Sequence, residues 1–186
     1  MADRGDVGWG NVRTIASLAV VPKRRTPETA SRLVGMRMRF VATFFPLLLT
    51  GVLVAWLTTA ENLEDSIKPV VATAIVVAYG LLTYVIARFI VRDLPLTSAK
   101  DLAEAYMRRF HLRLAFTNST AMMAFVMTIV SGSALPYVVG LVITVARLVA
   151  IAPTDWRLQA DQADLVNRGS ALDLGEALRQ PTAVLG

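Results

Sequence analysis

Four stretches of this sequence, residues 40–58, 69–91, 114–131 and 135–152, are almost wholly apolar and contain no Asp, Glu or Lys. A helix crossing the hydrocarbon of a bilayer needs about 20 apolar residues, roughly 17–25, at ~1.5 Å each. Each stretch has that length. In lipid the backbone N–H and C=O groups must be satisfied within the segment itself, which a helix achieves residue by residue. The expected fold class is therefore all-α: a polytopic membrane protein of four transmembrane helices arranged as two helical hairpins, with cytoplasmic amphipathic extensions. Composition agrees, with 55% hydrophobic and 18% charged residues and a mean hydropathy of +0.54. A soluble domain holds about 45–50% apolar and ~25% charged residues.

The first stretch is longer than the apolar region of a signal peptide, roughly 7–15 residues, and is read as a retained span. Lys and Arg near span ends stay on the cytoplasmic side. Residues 1–39 carry eight Lys/Arg against three acids and residues 92–113 carry five against three, whereas residues 59–68 carry one lysine and three acids. The turn at 131–134 has no charge. Both termini are thus expected in the cytoplasm. The Ala/Val/Arg-rich, lysine-poor composition is that of a high-GC bacterium, which makes the expected location a bacterial cytoplasmic (inner) membrane.

This gives a cytoplasmic N-terminal segment at 1–26, a four-helix transmembrane domain at 27–152 and a cytoplasmic tail at 153–186. The first segment contains Trp9, Val12, Ile15 and Leu18 at spacings that suit an interfacial helix or a disordered arm. The tail has helical patterns at about 155–167 and 171–179 and a net charge of −2, opposite in sign to the other cytoplasmic parts. It is a candidate for docking on the protein's own basic face or on a partner. "MRMRF" at 36–40 and "MRRF" at 107–110 hint at duplicated halves, although arginine-rich helix entries also arise independently wherever a span is anchored.

Local signals place the helix ends. Lys68-Pro69 sets proline at a first helical position, Ser133 is placed to cap the fourth span, and Pro153 ends it. Ser98 to Asp101 has capping-box spacing, and from there the pattern stays helical to Ser131. The third span is therefore expected to continue a basic cytoplasmic helix. A helix starting near Thr26-Pro27 is expected to run to Thr58 with a kink at Pro46.

Polar residues recur at one depth. Asn118 lies about 7 Å beyond Arg113, Arg147 about 9 Å before Pro153, Arg88 about 6 Å before Arg92 and Thr43 about 6 Å after Arg39, all by the helical rise. An arginine toward the bilayer centre costs at least ~2.5–3.5 kcal/mol, so it faces the bundle, pairs or runs its stem to the interface. The common arrangement is the last. Pairing with Asp93 or Asp155 is another. The functional alternative turns Arg88 and Arg147 inward to hold an anion such as a lipid phosphate, with Asn118 orienting it. His111 and Asn118 share one face, which packs on another helix if the Asn118 amide is not to be stranded in hydrocarbon. His111 reads as an interfacial anchor.

Small residues four apart, including Gly51/Ala55, Ala74/Ala78 and Gly140/Thr144, supply helix-packing surfaces. Trp56 and Tyr137 suit an outer aromatic belt, and Tyr106 and Trp156 an inner one.

With no cysteine the chain has no disulfide, thiolate metal site or cysteine nucleophile. It also lacks a P-loop, H-E-x-x-H, G-x-S-x-G and a dinucleotide fingerprint. In hydropathy it resembles rotary-ATPase proteolipids and small multidrug exporters, but both depend on a carboxylate within a span, and these spans have none. The +5 charge sits beside spans rather than in a stripe with stacking aromatics, so no nucleic acid is expected. No enzyme activity, cofactor or metal is expected either. The expected partners are the bilayer, including anionic phospholipid, and further membrane proteins in a homo-oligomer or hetero-complex. The leading functional expectation is a non-catalytic subunit, scaffold or assembly factor of a larger membrane complex. The alternative is a lipid- or anion-binding transporter component using Arg88, Asn118 and Arg147.

Overall fold

The computed structural model describes residues 32–59, 66–90 and 98–179. The expected N-terminal interfacial helix, the Thr26-Pro27 helix start and Asp93 lie outside them. Among the described residues seven helices follow in order: α1 (Arg32–Ala42), α2 (Phe44–Thr59), α3 (Pro69–Ile90), α4 (Ala99–Ser131), α5 (Leu135–Ile151), α6 (Asp155–Asn167) and α7 (Leu174–Arg179). Among the described residues there is no strand. The segments Gly35–Thr59, Pro69–Phe89 and Ala99–Ser131 are each long and apolar enough to cross a membrane, and the count becomes four if α5 is taken together with α6. The protein is all-helical with three to four such helices. The fourth is conditional because α5 has 17 residues, a rise of about 25 Å against a hydrocarbon core of ~30 Å.

Most helix ends fall where the sequence puts them. Pro69 opens α3, and Ser98 Oγ accepts the Asp101 N–H at 3.1 Å while donating to the Asp101 carboxylate at 2.7 Å. Helix α4 then runs unbroken for 33 residues. It closes at Gly132, whose φ of 60° is left-handed and suits glycine. The first span differs from expectation. Its interruption lies at Thr43, not at Pro46. Proline has no N–H to offer the carbonyl four residues back, and its ring crowds that carbonyl, which here belongs to Ala42. The disturbance therefore appears a turn upstream of the residue that causes it.

The chain forms two compact units. The apolar unit comprises Thr43–Arg92 and Arg109–Ile151. In it α3 and α5 pack extensively against each other, around a core of Val54, Val76, Ala124 and Tyr137. Gly140 makes the close approach possible: a Cβ there would collide with the Ala124 side chain and stand 3.1 Å from Val76. Tyr137 is not a belt residue. It is 3% exposed, donates its hydroxyl to the Leu47 carbonyl at 2.8 Å and lies 2.8 Å from Thr50 Oγ1. Its N–H, left free by its place in the first turn of α5, donates to Thr128 Oγ1 at 3.1 Å. Large apolar side chains such as Phe45, Leu48, Val70 and Val149 are exposed, as residues facing hydrocarbon would be.

The charged unit contains α1, the start of α4, α6 and α7. Met36, Phe40, Leu102, Leu165, Leu174 and Leu178 are buried in it. Helix α7 packs on α1 and α6, so the acidic tail does meet the basic N-terminal helix. Arg37, 5% exposed, donates to Asp155 at 3.1 Å, and the Tyr106 hydroxyl donates to Asp161 at 2.8 Å. Tyr106 is thus buried, whereas Trp156 is exposed. Helix α6 ends in a Schellman motif, with Gly169 at φ 83° and the Ser170 N–H donating to the Leu165 carbonyl. Helix α7 starts later than the sequence pattern suggests, because the Gln162 amide binds Leu172 O and Leu174 N–H and keeps 172–173 out of the helix, with the Asp173 side chain accepting from the Glu176 N–H at its start.

Two glycine substitutions separate packing from backbone freedom. Gly140→Ala overpacks the α3/α4/α5 junction, at a cost of roughly 1–3 kcal/mol, and lowers the thermal midpoint in detergent. Gly35→Ala in α1, where a new Cβ meets nothing within 4 Å, gains up to about 1 kcal/mol of helix propensity and does not lower it.

Candidate functional site

In the apolar unit a full charge meets a built polar environment at Arg147 of α5. Its Nη1 donates to Thr83 Oγ1 at 2.8 Å and Thr120 Oγ1 at 3.1 Å, with the Gly80 carbonyl at 3.4 Å. Thr83 donates onward to the Gly80 carbonyl at 3.0 Å, and its oxygen lies 3.3 Å from that of Thr120. The Tyr84 ring centroid is 6.0 Å from the guanidinium carbon. One nitrogen thus ties α5 to both α3 and α4. Thr83 and Thr120 are buried, at 3% and 0% exposed.

The helices are close at this level. A Cβ at Gly80 would stand 3.4 Å from the side chains of Thr120 and Ile143, in van der Waals contact with both. The contacts also fix helix directions: Val76 lies by Gly140, and Thr83 by Arg147. Helices α3 and α5 therefore run the same way. Thr120 meets Arg147 and Ala124 meets Gly140, so α4 runs against them.

The guanidinium does not reach for the interface. By the register that sets Val76 beside Gly140, Thr83 stands level with Arg147 and Gly80 only three residues, about 4.5 Å, deeper by the helical rise. Helical side chains slope toward the N-terminus, and the charge is held near the depth of its own backbone, on Thr83 and Thr120. Arg88, in contrast, sits exposed in the last turn of α3, where its charge complements the helix dipole and its stem can reach the interface. The two arginines, alike in sequence, adopt opposite arrangements.

Asn118 is separate from both. On α4 it lies roughly 160° around the axis from Thr120 at ~100° per residue, so the face that meets Arg147 is not the one that carries the amide. Its Oδ1 is buried and accepts no hydrogen bond among the described residues. The neighbouring hydroxyls bond one turn back: Thr117 to Arg113 O at 2.8 Å and Ser119 to Phe116 O at 2.9 Å. His111 is half-buried, with its ring 5.9 Å from that of Phe110.

The small residues divide between inside and outside. Gly140 is buried at the α3/α4/α5 junction, and a Cβ at Gly51 would stand 3.5 Å from the Tyr137 hydroxyl. Ala55, Ala74 and Ala78 are exposed. Ala74 and Ala78 line an open apolar groove of about 480 Å³ with Val70, Thr73, Val77 and Leu135.

In the sequence Thr83 and Thr120 stand four residues before Ala87 and Ala124, a helix-packing spacing, but nothing in one sequence pairs either with Arg147. Compared with known proteins, the chain matches no family model, no curated protein and no solved structure.

The Asn118 amide gives a direct check on this separation. A buried acceptor without a partner costs about 1–3 kcal/mol, so Asn118→Leu should raise the thermal midpoint in detergent. A lowered midpoint would mean that the amide is engaged.

Proposed function

We propose that this chain is a non-catalytic, multi-pass protein of a bacterial cytoplasmic (inner) membrane, with both termini in the cytoplasm, serving as a subunit, scaffold or assembly factor of a larger membrane complex. The observation that carries this reading is the outward face of α3. There Ala74 and Ala78 stand four apart and line an open apolar groove, the spacing by which helices approach closely in lipid. Inside the unit the same device is already used, with Gly140 against Ala124. A second set directed outward suits a helix from another copy or another protein. The charged unit supports the reading too, since its helices bury a core of their own and leave Glu104, Asp164 and Arg168 exposed for polar contacts.

Filling the groove tests this. Wild-type protein, extracted in a mild detergent that preserves other complexes, should be recovered with a stoichiometric partner or a second copy. Ala78→Phe should be recovered alone with an unchanged thermal midpoint. Because the chain has no cysteine, Ala74→Cys also offers a single thiol for cross-linking in native membranes. Wild-type protein found only as a lone monomer, with no Ala74→Cys adduct, would sink the proposal.

A further inference from the structure

We infer that Arg147 is the anchor of a binding site for a phosphate-bearing anion, engaged through the Nε and Nη2 edge of its guanidinium. This is independent of whether the α3 groove holds a partner helix.

The inference starts from a charge count. The described residues of the apolar unit include no Asp or Glu, so nothing in its spans neutralises Arg147. All its acceptors are neutral: two threonine hydroxyls and one carbonyl. The Tyr84 ring, at 6.0 Å, adds a cation–π attraction of the weak class. These contacts solvate the cation and leave its full charge in place. An arginine that merely needed solvation would run its stem to the interface, yet this one turns onto Thr83 and Thr120 near the depth of its own backbone.

The geometry of the guanidinium gives the second step. Every acceptor it meets lies on Nη1. The other three N–H groups, one on Nε and two on Nη2, meet no acceptor among the described residues. Nε–H and one Nη2–H are parallel donors, the pair that grips two oxygens of one phosphate or carboxylate. Thr83 and Thr120 hold the plane of the fork in advance, so little orientational freedom remains to be lost on binding.

The surroundings select the ligand. Tyr84, beside the guanidinium, is 52% exposed, so the site opens on the outer surface of the bundle. A ligand arriving there comes from the bilayer. The end of α5 is only about 6 Å away by the helical rise, within the span of a lipid headgroup that dips slightly. An anionic phospholipid, with its phosphodiester on the fork and its acyl chains along α3 and α5, meets each requirement. Free phosphate has the same oxygens and lacks the chains.

The test uses the full chain in nanodiscs of phosphatidylcholine with one-tenth phosphatidylglycerol, read by native mass spectrometry on release into zwitterionic detergent. Wild type should retain one phosphatidylglycerol, Arg147→Gln should retain it at least tenfold less, and Arg88→Gln should match wild type. Inorganic phosphate at millimolar concentration should not displace the lipid. Displacement would keep the Arg147 site and identify free phosphate as its ligand. If Arg147→Gln does not fold, Arg147→Lys carries the comparison: it keeps the charge but loses the fork, and retention should fall about tenfold. Equal retention by wild type and the Arg147 variant, or no retained lipid and no phosphate-induced rise in the wild-type thermal midpoint, would overturn the inference.

Discussion

Hydrocarbon accepts no hydrogen bonds, and that constraint governs the polar groups of the apolar unit, with Asn118 Oδ1, Ser131 Oγ and Thr144 Oγ1 as buried exceptions. The hydroxyls of Thr50, Thr58, Thr73 and Thr117 each bond a carbonyl of their own helix. Tyr137 places its hydroxyl on Leu47 and its N–H on Thr128, so one residue ties the start of α5 to both α2 and α4. Arg147 is the extreme case, since its charge must be solvated by whatever the neighbouring helices present. Thr83, Thr120 and the Gly80 carbonyl do this, and in doing so they set how α3, α4 and α5 sit at that level.

Close approach is the condition for the bonds that cross between helices. Side chains as short as threonine can meet across helices only where backbones nearly touch, which Gly140 permits against Ala124. The polar contacts and the glycine are one device. Ala74 and Ala78 repeat its small-residue half on the outer face of α3 without a polar half, which fits a surface that assembles through shape alone.

The charged unit solves the same bookkeeping of donors and acceptors with the means of a protein in water. Its helix ends are closed by a Schellman turn at Gly169 and by the Asp173 and Gln162 side chains, and its buried Arg37 has a carboxylate, Asp155. Acids are present there and absent from the described residues of the apolar unit. Arg37 therefore finds its counter-charge within the chain, and Arg147 meets none among the described residues.

Hydropathy, charge asymmetry and capping residues act along one helix at a time, so they were legible in the sequence: the apolar lengths, the continuation of the third span into a 33-residue helix, and the starts at Pro69 and Ser98. The effect of Pro46 was also legible in kind, although it appears at Thr43 because proline disrupts the preceding turn. Rotation about the helix axis was not legible. Arg88 and Arg147 each follow a long apolar run near a helix end, and only the packing of α3 against α5 turns one outward and the other onto Thr83 and Thr120. The same holds for Tyr137, which hydropathy assigned to an interface and packing buried. Membrane insertion is determined by composition along the chain, which the sequence contains outright; which face of each span meets protein, and hence where a charge can be used, depends on contacts between residues as far apart as Gly80 and Arg147, which only the tertiary structure decides.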